Sequence, residues 1–203
     1  MIIRLSATML DSYLWGMSND DMTSEELARE LFLGKQQTMA MKCGTAFHSL
    51  LEHDFDYELA RSQGFNFLFS DQLDGIIELG EVREKKYVTR IFDDVDLVSK
   101  IDAETSTKVI DHKLTAVFDP EKYMDAYQWR VYLLERQCNT FKYQVFEHSG
   151  LEKVVEGVTE VKIKSYHELH QHTYSTLESD VKALVREVAD FAKYWKPKLG
   201  VAT

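Results

Sequence analysis

Cysteine is scarce in this chain: Cys43 and Cys138 are the only two in 203 residues. An iron–sulfur cluster takes about four thiolates, so none is expected, and the pair reads as reduced thiols rather than a disulfide framework. Proline occurs twice and glycine nine times, and no stretch has the composition of a flexible linker. One domain over residues 1–203 is therefore expected. No apolar run approaches the roughly 20 residues that a membrane span needs, so no membrane partner is expected. The start, Met1-Ile2-Ile3-Arg4-Leu5-Ser6, lacks the apolar core of a secretion signal, which makes a cytoplasmic location the expectation. Basic residues are outnumbered, 24 against 34 acids, for a net charge of −10. That balance argues against a lone monomer that coats nucleic acid non-specifically, although local cationic clusters matter more than the total. A hydrophobic fraction of 44% is that of a globular protein.

What is present centres on two short segments, Lys100-Ile101-Asp102-Ala103 and Val109-Ile110-Asp111-His112-Lys113, joined by the polar run Glu104-Thr105-Ser106-Thr107. The pattern is that of two strands and a turn. Side chains alternate along a strand, so Asp111 and Lys113 share a face while His112 looks away. An even-numbered turn puts Asp102 on that face too; an odd one without a bulge puts it opposite. Two carboxylates held close raise each other's pKa unless a cation neutralises them. Hard oxygen ligands suit Mg2+ or Mn2+, and a neighbouring lysine can orient a water or offset charge on phosphate. The plainer reading is a surface hairpin with a cross-strand ion pair. Leu97, Ile101, Val109 and Ile110 weigh against it, because acids in partly buried strands call for a partner or an ion.

Residues 35–53 place Met39, Cys43, Phe47, Leu50 and Leu51 at helical spacing. Gly44 inside that helix costs roughly 1 kcal/mol against alanine, which suggests close approach of another backbone. His48 falls at the edge of the apolar face, where a satisfied core histidine is the ordinary occupant. Glu52, one turn later, is placed either to orient the imidazole or to end a solvated helix. Gln128 and Tyr132 share one helix face and suit contacts to phosphate or a strand end, with Trp129 and Arg130 adding stacking and charge. Simple packing with Tyr123, Tyr127, Val131 and Leu134 competes with that reading. Arg83, Lys85, Lys86, Arg90, Lys100 and Lys108 supply local positive charge. His167, His170 and His172 lack an acidic partner pattern for a metal.

The rest of the chain reads coarsely. Ser6 caps a helix over 7–16, and Thr23 with Glu26 forms a capping box for one reaching Leu33. Residues 54–80 are weakly periodic, helical near 71–79 at best, and suit a mobile segment over a cleft. Strands are expected near 84–92, 95–103 and 108–113. A helix opened by Pro120 runs to Cys138, strands follow near 141–147 and 153–164, and a last helix covers about 168–195. The domain thus divides into a helical part (1–80), a sheet core (84–164) and a C-terminal helix.

Together the motifs resemble the PD-(D/E)XK nuclease superfamily and its RecB/RecE-like branch. Leu5-Ser6-Ala7-Thr8-Met9-Leu10-Asp11-Ser12-Tyr13 is similar to that branch's opening. Gly44-Thr45-Ala46-Phe47-His48-Ser49-Leu50-Leu51-Glu52 is similar to its glycine-to-histidine helix, close in wording to phage recombination exonucleases. Asp102, Asp111-x-Lys113 and Gln128-x-x-x-Tyr132 complete the order over residues 5–133. The resemblance implies an α/β fold with a restriction-endonuclease-like core, a mixed central sheet flanked by helices. It implies Asp102, Asp111 and Lys113 as catalytic residues, His48 and the backbone carbonyl of His112 as further ligands, and a glutamate before the first sheet strand. Glu78, Glu81 and Glu84 all fit that place, and Glu84 is the choice. Gln128 and Tyr132 would steady the DNA. The implied activity is metal-dependent exonuclease digestion of linear duplex or single-stranded DNA, RecE-like 5′ to 3′, with recombination or single-strand-binding partners and homo-oligomers common in the branch. An endonuclease on the same fold and a catalytically silent binding module are the alternatives.

Overall fold

The computed structural model describes residues 2–70, 73 and 76–201. The chain forms β1 (Ile3–Ser6), α1 (Ala7–Met17), α2 (Ser24–Leu33), α3 (Met39–Glu52), α4 (Tyr57–Ser62) and β2 (Phe65–Leu68). It continues through β3 (Val82–Phe92), β4 (Val95–Glu104), β5 (Lys108–Thr115), α5 (Pro120–Asp125) and α6 (Gln128–Arg136). Then come β6 (Thr140–His148), β7 (Val154–Val155), β8 (Val158–His172) and α7 (Leu177–Lys198). The strands make one mixed sheet in the order β1-β4-β5-β6-β8-β2, with β3 beside β4 and β7 beside β8. β1/β4, β5/β6 and β2/β8 run parallel, and the remaining pairs antiparallel. This is the α/β architecture expected, a restriction-endonuclease-like core with helices on both faces.

Two apolar clusters hold the layers together. One packs Leu10, Tyr13, Val131, Val181, Val185 and Val188 of α1, α6 and α7 on Leu97, Phe141 and Val145. The other packs Phe47, Leu50 and Leu51 of α3 on Phe65, Phe67, Phe146 and Val161. Burying each large side chain stabilises the fold by roughly 1.5–3 kcal/mol. The caps fall where the sequence places them. Ser6 Oγ accepts from Met9 N at 3.2 Å, and Thr23 and Glu26 form the full capping box.

Four expectations need correction. The helix from Pro120 is two helices, because Ala126 is extended (φ −57°, ψ 141°). The second helix is capped from a distance: Asp11 of α1 accepts from Tyr127 N at 2.5 Å and Gln128 N at 3.2 Å. The last helix starts at Leu177, not 168, since residues 165–172 stay in β8 and pair with β6 as far as Thr140↔His172. The segment 54–80 is not a free flap, because β2 adds to the sheet beside β8. The turn near 71–79 falls partly on Asp71, Gln72, Asp74 and Gly75, which lie outside the described residues, and 77–80 are irregular. Finally, no neighbour crowds Gly44: an added Cβ would meet nothing within 4 Å. Among the described residues no helix is long and apolar enough to cross a membrane.

Candidate metal centre

The turn between β4 and β5 decides where the two acids go. Thr105 N donates to Lys108 O at 2.9 Å, leaving Ser106 and Thr107 as a two-residue loop, and the ladder pairs Glu104 with Val109 and Ala103 with Ile110. There the hydrogen-bonded ladder stops. The next rung would bring Asp102 opposite Asp111; instead the strands part, and the Asp102 carboxylate enters the gap. His112 N donates to Asp102 Oδ2 at 2.9 Å. A side chain thus replaces a backbone carbonyl as the acceptor, which fixes the carboxylate rigidly.

Three elements converge on it. His48 of α3 lies with Nδ1 3.3 Å from Asp102 Oδ2. Glu84 of β3 sits opposite Asp102 with φ at +53°, a left-handed conformation that costs a non-glycine residue about 1–3 kcal/mol. His48, Glu84 and Asp102 offer ligand atoms all within 4.8 Å of one another, the one such group of three among the described residues. Imidazole with two carboxylates is a donor set that a divalent cation accepts, so this cluster could hold a metal ion. Glu84 is also ion-paired with Lys100. Glu78 points elsewhere, to Lys108 and Lys142, and Glu81 is exposed.

Asp111 stands just outside this trio. It is fully buried, and neither carboxylate oxygen has a hydrogen-bond partner among the described residues. It is held by charge: Lys113 Nζ lies 2.7 Å from Oδ2 as an ion pair. Burial pushes the Asp111 carboxyl above the usual range, opposed by Lys113 and reinforced by Asp102. At Asp102 burial acts in the same sense, but His48, Lys113 and His112 outweigh it and the net shift is down. For His48 burial favours the neutral ring, and Asp102 and Asp111 carry the balance to the charged form. Lys113 is held above its ordinary value because the two acids overcome its own burial. Four neighbouring ionisable groups therefore set one another's charge, the arrangement of a functional site.

The remaining predicted residues support the site from behind. The His112 ring is turned away, with Nε2 3.1 Å from both Glu78 O and Gln144 Oε1, and burial lowers its pKa. Gln128 Nε2 donates to the Tyr132 hydroxyl at 2.9 Å, which donates to Lys100 O at 3.1 Å. That carbonyl lies where β4 has lost β1 and not yet met β5, and Tyr132 lines a cavity of about 360 Å³ there with Ser6, Thr8, Lys86 and Lys100. Trp129 and Arg130 fix the α5–α6 corner, donating to Met124 O at 3.0 Å and to Asp125 and Ala126 carbonyls at 2.7 Å. The Glu52 carbonyl accepts from Arg83 at 2.9 Å, and among the described residues no hydrogen bond joins Glu52 to His48. The three late histidines do not converge: His167 stacks on Phe118 at 3.9 Å and His170 leans to Glu168. Sequence reasoning did not find the Asp11 cap or the Gln144–His112 support, since neither has a motif; an aspartate on the polar side of a capped helix was the one available sign of the first.

No family model matches the chain, and no curated protein does. Among solved structures it is similar to a candidate exonuclease from Eubacterium rectale, with a TM-score of 0.58 at 11% identity over 98% of this chain and 83% of the other. A structure of LHK-Exo in complex with dAMP also aligns, with a TM-score of 0.46 at 12% identity over 97% of this chain and 93% of the other, and nothing below rests on it. The first of these likenesses shows a shared fold.

Proposed function

We propose that the chain is a metal-dependent deoxyribonuclease of the PD-(D/E)XK type, acting as an exonuclease on linear DNA. The observation that supports it best is the parting of β4 and β5, which brings Asp102 against His48 and Glu84 and leaves Asp111 and Lys113 beside them. In this reading His48, Glu84, Asp102 and Asp111 would hold one or two Mg2+ or Mn2+ ions, with the His112 carbonyl as a further ligand. A divalent ion at such a site polarises a phosphoryl oxygen and stabilises charge in the transition state. Asp111 is the residue most in need of that ion, being buried without a hydrogen-bond donor. Lys113 is a charged ammonium and acts as a donor, orienting the attacking water and offsetting charge on the scissile phosphate. Tyr132 braces the open edge of β4 through Lys100, and Gln128 meets the DNA backbone. Digestion in the RecE-like 5′ to 3′ sense, in recombination or repair and with oligomeric or single-strand-binding partners, is the finer form of the proposal.

The test uses end-labelled linear duplex, single-stranded DNA and a covalently closed circle, each with Mg2+, Mn2+ or chelator. Linear DNA should shorten from an end only with metal, and the circle should survive. Cutting of the circle would make the chain an endonuclease. Undiminished cleavage by Lys113→Ala would refute the site.

A further inference from the structure

From Leu31 to Leu51 the sequence contains no aspartate or glutamate, in a chain where 34 of 203 residues are acidic. The same stretch carries Lys35, which is ion-paired with Glu30, together with Lys42 and His48. Its residues 33–42 are all exposed, so the first turn of α3 stands clear of the body. The buried face of α3 is Cys43, Ala46, Phe47, Leu50 and Leu51. The opposite face carries Met41, Gly44, Thr45 and His48, one helical turn apart along the axis. Gly44 is the anomaly on it. A glycine inside a helix is unfavourable, and it is normally retained for a positive φ or a close neighbour. Gly44 has a helical backbone, and the space its side chain would fill is empty to 4 Å. Nothing among the described residues accounts for it. The open strip leads to His48, which contacts Asp102 beside the buried Asp111 carboxylate that has no hydrogen-bond partner among the described residues.

We infer that the outer face of α3 around Gly44 is the surface on which a nucleic-acid strand lies as it enters the metal centre. The missing side chain lets the phosphodiester chain approach His48, and Lys42 meets a phosphate. The inference rests on the nuclease reading and deepens it. Charge complementarity selects the occupant: an acid-free strip flanked by Lys42, on a chain of net charge −10, attracts a polyanion, whose affinity comes from phosphate contacts. Gly44 is a positioning residue, and its role makes an unusual demand, since filling the space should help the fold and harm the reaction.

The experiment compares Gly44→Ala, Gly44→Leu and Lys42→Glu with the wild-type chain. Melting temperatures are read without DNA and with Mn2+, and kcat/KM on an end-labelled oligonucleotide at several salt concentrations. Gly44→Ala should melt at or above wild type, and all variants should keep the Mn2+-induced shift. Gly44→Leu should lose about tenfold or more in kcat/KM, because small displacements of a bound strand are costly. Lys42→Glu should weaken binding and flatten its salt dependence. Wild-type kcat/KM in Gly44→Leu, with the parent chain active, overturns this inference alone. So does parallel loss of melting temperature and activity, which indicates packing. A change of oligomeric state in Gly44→Leu with kcat/KM intact assigns the face to a second copy of the chain and also overturns it. A parent chain that neither binds nor cuts DNA removes the nuclease reading and this one together.

Discussion

Asp111 concentrates the conflict between stability and chemistry at the level of one residue. Its carboxylate is buried, has no hydrogen-bond partner among the described residues, and is ion-paired with Lys113. Burying a charge without full compensation is costly, and metal binding would relieve it. Asp111→Asn removes the charge while keeping the shape. In metal-free buffer the variant should melt at or above the wild-type temperature. With Mn2+ the wild type should gain stability, by about 2.7 kcal/mol at a hundredfold excess over the dissociation constant, and the variant should gain little. Calorimetry with and without the ion reads both effects. Lys113→Ala tests the other side of the contact. Cleavage should fall roughly a hundredfold or more, and the melting temperature should also fall, because the buried carboxylate loses its nearest counter-charge; adding Mn2+ should restore part of it.

At the level of elements, much of the centre was legible because strand chemistry is periodic. Asp111 and Lys113 alternate with His112 on β5, and a two-residue turn carries the register back to Asp102. The same reasoning left Glu78, Glu81 and Glu84 equivalent, because it cannot see that Glu84 takes a left-handed backbone that turns it toward Asp102. Long-range contacts were equally invisible. The end of β8, Ser165 to His172, is polar and histidine-rich and reads as a helix start, yet β6 holds it in the sheet through Lys142 to Glu168 at 2.5 Å and through Gln144, whose Nε2 donates to the Tyr166 hydroxyl. Gly44 was read as a close approach, and the space there is open. Two predictions belong to these joints. Tyr132→Phe should cost about 1 kcal/mol in denaturant unfolding, with a larger proportional loss of cleavage, because the freed Lys100 carbonyl loosens β4 beside Asp102. Glu168 sits at a joint that responds to pH. Burial raises its pKa, but Lys142 and Tyr166 outweigh this and hold it down at about 2. A carboxylate depressed in the folded state adds stability above its unfolded pKa, and loses that contribution as pH falls toward the folded value. The stability gap between wild type and Glu168→Gln should therefore be full above about pH 4.5 and close between there and pH 2, as urea midpoints across that range would show.

For the whole molecule the governing quantity is charge. An excess of ten negative charges repels DNA at long range, so affinity must come from a few local contacts and from metal at the hollow. Besides Lys113, the lysines on these two sides are Lys35 and Lys42, before and at the start of α3, and Lys86 and Lys100 around the cavity; Lys35 and Lys100 are already engaged, with Glu30 and Glu84. Each phosphate neutralised contributes about −0.9 to the slope of log affinity against log salt on duplex DNA. Four such lysines set a ceiling of roughly −4, well short of what a protein wrapped in basic surface shows. Anisotropy titrations of the cleavage-impaired Lys113→Ala chain on labelled duplex, at increasing potassium chloride, should give a shallow slope of that order. Lys42→Glu in the same background should flatten it by about one contact. A much steeper slope would require a broad basic surface, and because the excess acid is spread along a single chain, that surface would have to be contributed by something other than this molecule.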